Sequence, residues 1–104
     1  MQQDSVSKQT YKVRAKIWLY GGIGGWHFVT LPVKTSSVIR ALYKNKTRSF
    51  GSIAVLVTIG KTKWKTLLFP DKKSNSYLFA IKAEVRKREN IFADDFIVAE
   101  IKIL

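Results

Sequence analysis

The chain predicts a small, mainly β barrel of about six strands with two short helices, and three observations lead there. Apolar and polar residues alternate along several stretches, which is the pattern of strands with one buried face. Only two short segments carry helical spacing instead. Finally, 104 residues suffice for one domain with one core, but not for a parallel crossover at every step.

Taken in order, residues 1–10 (MQQDSVSKQT) are polar, lack the apolar run of a signal peptide and read as a flexible tail. The barrel domain is expected over 11–104. From Tyr11 to Tyr20 the alternation puts Tyr11, Val13, Ala15, Ile17 and Leu19 on one face, and Lys12, Arg14, Lys16, Trp18 and Tyr20 on the other. GGIGG at 21–25 separates this strand from a second apolar run, Trp26 to Leu31, at hairpin spacing. A phosphate-binding P-loop would need Lys and Ser or Thr after the last glycine, at the start of a helix. Trp26 and His27 stand there instead, so the glycines read as a wide turn, with close backbone approach by a ligand as the alternative.

After Pro32, TSSVIRALYKN offers Thr and Ser caps followed by Val38, Ile39, Leu42 and Tyr43, predicting a helix from about Ser36 to Lys44. Phe50 to Ile59 and Lys63 to Phe69 read as strands around a Gly60 turn, the second ending at Pro70. DKKSNS is a turn, Tyr77 to Ile81 a strand, Ala83 to Asn90 a helix, and Asp95 to Ile103 a strand with apolar residues on both faces. Duplication is also legible. Trp26 to Pro32 and Trp64 to Pro70 share Trp, five residues and Pro, and Val33-Lys34 and Ile39-Arg40 are answered by Ile81-Lys82 and Val85-Arg86. Two related halves closing one barrel is the expectation.

GGWHFVTLP, VTIGKTKWKTLLFP, YLFAIKAEVRK and IFADDFIV occur in the order of the motifs of an uncharacterised prokaryotic family, one of the numbered domains of unknown function. The resemblance spans residues 11 to 103. It implies a double-split β-barrel, in some relatives joined to a YdeI/OmpD-associated domain, and it implies no activity. The chain departs from that pattern at Leu67, Ala80 and Asp94, where relatives carry serine, proline and glycine. A narrower run over 81–101, with Val85-Arg86, Ile91 and Asp94-Asp95, resembles the swapped-hairpin regulators of the AbrB/MazE type, which bind DNA as dimers. Shared architecture does not transfer function.

Charge is the compositional outlier: 19 Lys and Arg against 7 Asp and Glu give a formal +12. Such a field attracts nucleic acid or another polyanion, or merely keeps a small protein soluble. The best local nucleic-acid feature is the outward row Lys12, Arg14, Lys16 and Trp18, where cations meet phosphates and rings stack on bases. Lys61, Lys63 and Lys65 form a second row, with Trp64 on the opposite face, and Arg86 extends the field from the second helix. Rows of this kind also discourage edge pairing. Trp26 and Trp64 either pack in the core or line a pocket, which is the alternative reading: a small-ligand or protein-interaction module.

The inventory for catalysis is thin. There is no cysteine, and His27 is the single histidine, which excludes thiol chemistry and gives no metal cluster. Asp94 and Asp95 are adjacent, so on a strand they would face opposite ways, and they read as a turn bonding its own backbone. The expectation is therefore a non-catalytic protein without cofactor or membrane span, cytoplasmic by default.

Overall fold

The computed structural model describes residues 10–104, so the first nine residues of the expected tail lie outside the described part. Thr10 already belongs to a strand. The elements are β1 (Thr10–Leu19), β2 (His27–Thr30), α1 (Val33–Tyr43), two short 3-10 turns (Lys44–Lys46 and Ser49–Gly51), β3 (Ile53–Ile59), β4 (Thr62–Asp71), β5 (Ser76–Ala80), α2 (Ala83–Glu89) and β6 (Phe96–Ile103). The predicted element order holds, with four local corrections. Strand β3 begins at Ile53 rather than Phe50, which lies in the second 3-10 turn with φ of 62°. Helix α1 begins at Val33 with no side-chain cap, because Ser36 is buried and its Oγ accepts the Tyr77 N–H at 2.9 Å. Strand β4 runs through Pro70 to Asp71; there it pairs with β5 alone, and a strand with one free side accommodates a residue without an N–H. Val38 and Leu42 are exposed, so α1 buries only Ser36, Ile39 and Tyr43.

The six strands close into an antiparallel barrel in the order β1-β2-β5-β4-β3-β6. Inward positions carry the core: Val13 and Ile17 from β1, Val29 from β2, Val55 and Val57 from β3, Trp64 and Leu68 from β4, Phe79 from β5, and Ile97, Ala99, Ile101 and Ile103 from β6. Strands β1 and β4 each bend to serve two partners. In β1, residues 10–16 pair with β6 and 17–19 with β2; in β4, residues 62–68 pair with β3 and 69–71 with β5.

That parallel extends to the whole ring. Exchanging β1-β2-α1-β3 with β4-β5-α2-β6 maps the strand order onto itself, and the last strand of each half is separated from its own hairpin by a strand of the other. This is the double-split arrangement of two related halves. The repeat that predicted it was aligned wrongly, however: matching Trp26 with Trp64 equates the start of β2 with β4, whereas the topology equates β2 with β5. Trp18↔Phe28 in the first hairpin is answered by Phe69↔Leu78 in the second. Pro32 and Lys82 sit at the N-caps of α1 and α2. The Leu31 N–H donates to Tyr77 O and the Ile81 N–H to His27 O, both at 2.9 Å.

The glycine-rich segment is the β1–β2 turn, as expected, with Gly24 and Gly25 at φ of 103° and 64°. Asp94 takes a left-handed φ of 76°. Asp95 supports that turn by accepting the Phe92 N–H on Oδ2 at 2.8 Å, and Asp94 donates its N–H to Ile17 O at 2.7 Å. The aspartates are turn residues.

Candidate nucleic-acid interface and adjoining cleft

The two predicted basic rows lie on one surface. Strands β1, β6, β3 and β4 are consecutive in the barrel, and their registers Lys12↔Glu100, Glu100↔Thr58 and Thr58↔Lys63 run straight across it. The outward residues of this four-stranded sheet include the exposed Lys12, Arg14 and Lys16 on β1, Lys102 on β6, and Lys63 and Lys65 on β4. In the stretches of these strands that pair with one another, Glu100 is the one carboxylate. Arg14 and Lys16 both lie over the exposed Phe96 ring, at 4.5 and 5.6 Å from its centroid, which holds two of the cations on an apolar support while their charge faces water. Lys61 sits in the β3–β4 turn beside this sheet.

Where β1 leaves β6 and joins β2, the surface changes character. Trp18 packs on Phe28 with centroids 5.2 Å apart and donates its Nε1–H to Thr30 Oγ1 at 2.9 Å. Tyr20 meets Phe28 edge-on at 6.1 Å, and Trp26 lies parallel to it at 6.0 Å. With Leu67, Phe69, Leu78 and Ala80, the rings of Tyr20, Trp26 and Phe28 line an open apolar groove, and Trp18 packs beside it on Phe28. The symmetry explains the layout, since the outward residues of β4, Lys63, Lys65, Leu67 and Phe69, retrace Lys12, Arg14, Lys16 and Trp18 of β1. Lys102, Phe28 and Phe69 were not among the predicted site residues. The alternation in KWKTLLFP, read at the hairpin correspondence, is the signal that finds the last of them.

Arg86 does not join the basic sheet. Its Nε donates to Ile81 O at 3.2 Å, and its Nη1 lies 3.4 Å from His27 Nε2. His27 Nδ1 lies 2.7 Å from Gly25 O. A carbonyl oxygen only accepts, so Nδ1 carries the imidazole hydrogen and Nε2 presents a lone pair to Arg86. These groups line a cleft of about 450 Å³ with Gly24, Lys65, Lys82, Ala83 and both predicted tryptophans, Trp26 and Trp64. The two tryptophans are not equivalent. Trp64 is core, 8% exposed and 6.2 Å from the Phe79 ring, whereas Trp26 is 54% exposed and forms the wall shared by cleft and groove.

Elsewhere, Arg88 pairs with Glu84 at 3.5 Å on exposed turns of α2. Among the described residues no three of His, Asp and Glu gather as a metal site, and no helix is long and apolar enough to cross a membrane. The Tyr11 hydroxyl donates to Tyr43 at 3.5 Å. Burial, then this hydrogen bond and the neighbouring charge, push the Tyr11 hydroxyl well above its ordinary value.

Fold and surface together define a small closed antiparallel barrel, basic on one sheet and aromatic on the next. The chain belongs to the family described as Domain of unknown function (DUF1905), whose model matches residues 14–101. No curated protein matches it.

Proposed function

We propose that this protein is a non-catalytic nucleic-acid-binding module that holds single strands mainly through phosphate contacts and stacks bases on its aromatic face. One observation carries the reading: β1, and β4 in the equivalent position, each run along their outer face from cations to an aromatic ring. Outward neighbours on a strand are about 7 Å apart, so a strand of nucleotides laid along β1 meets charge with its phosphates and Trp18 with a base. Bases already stacked in a duplex have no face to offer these rings, so single strands are favoured. The likeness of residues 81–101 to AbrB/MazE-type regulators supports the reading at the level of architecture alone.

The test is fluorescence anisotropy against mixed-sequence single- and double-stranded DNA and RNA at roughly 50 and 200 mM salt. Micromolar binding to single strands that weakens at least tenfold between those salts is expected. Absence of binding at the lower salt overturns the proposal.

A further inference from the structure

Of the cations and rings used in that reading, the cleft between the glycine turn and the start of α2 shares only Lys65 and Trp26. Its lining holds three cations, Arg86, Lys82 and Lys65, and no carboxylate. Arg86 is half-buried and has no ion pair among the described residues. A guanidinium carries five N–H donors, and among the described residues two are occupied, by Ile81 O and His27 Nε2. Those two contacts fix its plane and leave the remaining donors for an anion. His27 is itself held by Gly25 O, so the device is preorganised from the glycine turn upward.

Trp26 supplies the same cleft with a flat apolar surface. Trp26 lies parallel to Phe28 within 4° and is over half exposed. Gly24, at φ of 103°, makes room for it, since a Cβ there would stand 3.2 Å from the indole Nε1. The volume lies in the range of small-molecule sites.

The duplicated half shows that this opening is not imposed by the fold. At the correspondence that equates Leu31 with Ile81, Arg86 stands opposite Ser36 and His27 opposite Tyr77. Ser36 and Tyr77 are buried and joined by the 2.9 Å bond from the Tyr77 N–H to Ser36 Oγ, and Arg40 lies over the tyrosine ring at 5.7 Å. One corner of the barrel is sealed and its counterpart is open and cationic.

We propose that this cleft binds a phosphomonoester carrying a planar ring, a nucleoside 5′-monophosphate, with Arg86 and Lys82 on the phosphate and Trp26 against the base. A phosphomonoester is close to dianionic at neutral pH, which suits three cations without a counter-charge better than a carboxylate does. The nucleotide is either free or the 5′ end of a strand.

The test titrates the whole protein with adenosine 5′-monophosphate, adenosine and inorganic phosphate, followed by tryptophan fluorescence and calorimetry. The nucleotide is expected to bind at least about tenfold more tightly than either part, in keeping with charged hydrogen bonds added to ring contact. Arg86→Gln and Trp26→Ala should each weaken it by about tenfold or more. Lys82→Gln, on an exposed residue that cannot unfold the barrel, should weaken it by several-fold. Lys12→Gln/Arg14→Gln/Lys16→Gln should leave nucleotide binding intact, which separates this proposal from strand binding on the outer sheet. A 5′-phosphorylated oligonucleotide that competes better than its 5′-hydroxyl twin assigns the strand end as the source; equal competition by the twins, with nucleotide binding retained, assigns the free nucleotide. Absence of nucleotide binding at about 1 mM, equal affinity for adenosine, or wild-type affinity in both Arg86→Gln and Lys82→Gln overturns it.

Discussion

Replacing Lys12, Arg14 and Lys16 together by glutamine should change how strand binding responds to salt, and by an amount the structure sets. Six cations face outward on the four-stranded sheet, three of them on β1. Each neutralised phosphate of a single strand contributes about −0.7 to the slope of log K against log salt, so six contacts give a slope of about −4. Between 50 and 200 mM salt the affinity then falls about 250-fold, and with three contacts removed, at a slope of about −2, it falls only about 16-fold. The exposed Phe69 provides the contrast. Stacking is worth about 1–3 kcal/mol per base and releases no counterions, so Phe69→Ala should lower affinity equally at every salt. Anisotropy titrations at four or more salt concentrations read both slopes. A triple variant with the wild-type slope, or a Phe69→Ala protein whose slope changes, would refute the division of labour between the two sheets.

Four further expectations concern the scaffold. Ser36→Ala leaves the Tyr77 N–H buried without its acceptor, at a cost of about 1–3 kcal/mol; thermal melts should show a loss of about 4–8 °C for each kcal/mol, and an unchanged Tm would contradict it. Glu89 accepts from Lys61 N–H and Thr62 Oγ1, tying the end of α2 to the β3–β4 turn, so Glu89→Ala should cost about 1–2 kcal/mol in denaturant unfolding. Gly60, at φ of 59° with the Glu89 carboxylate against any added Cβ, should tolerate alanine still less, and removing Glu89 as well should restore only part of the loss. The raised Tyr11 hydroxyl gives a pH effect. Its folded form keeps a proton that the unfolded chain gives up near pH 10, so stability is fully present below about pH 10 and declines as pH climbs above it. Tyr11→Phe should flatten that alkaline decline in urea midpoints.

Much of the fold was legible because strands with one wet face write their register into the sequence. The alternation from Tyr11 to Tyr20 placed Val13 and Ile17 inward and Lys12, Arg14 and Lys16 outward, as the barrel has them. What alternation cannot show is which strands become neighbours. The rows on β1 and β4 share a surface only because β6 and β3 pair between them, and that pairing joins residues some forty or more positions apart. The caps of α1 were misread for a related reason: Ser36 has the chemistry of a cap, but the distant Tyr77 N–H claimed its hydroxyl.

The tryptophan repeat is the more instructive error. Trp26 and Trp64 matched in sequence because each precedes an apolar run ending in proline, yet one is a turn residue on the surface and the other an inward strand residue. Hydrogen-bond register is the better guide to duplication, because two halves that close one ring must exchange partners symmetrically whatever their side chains. Judged by register, the halves agree in backbone and differ in the side chains at their corners. The outer faces of β1 and β4 both run from charge to ring, with Leu67 where β1 has Lys16, as two related contacts with one repeating polymer would demand. The corners at Ser36 and Arg86 have diverged, one into core and one into a cationic cleft, as a single site for a single ligand would demand.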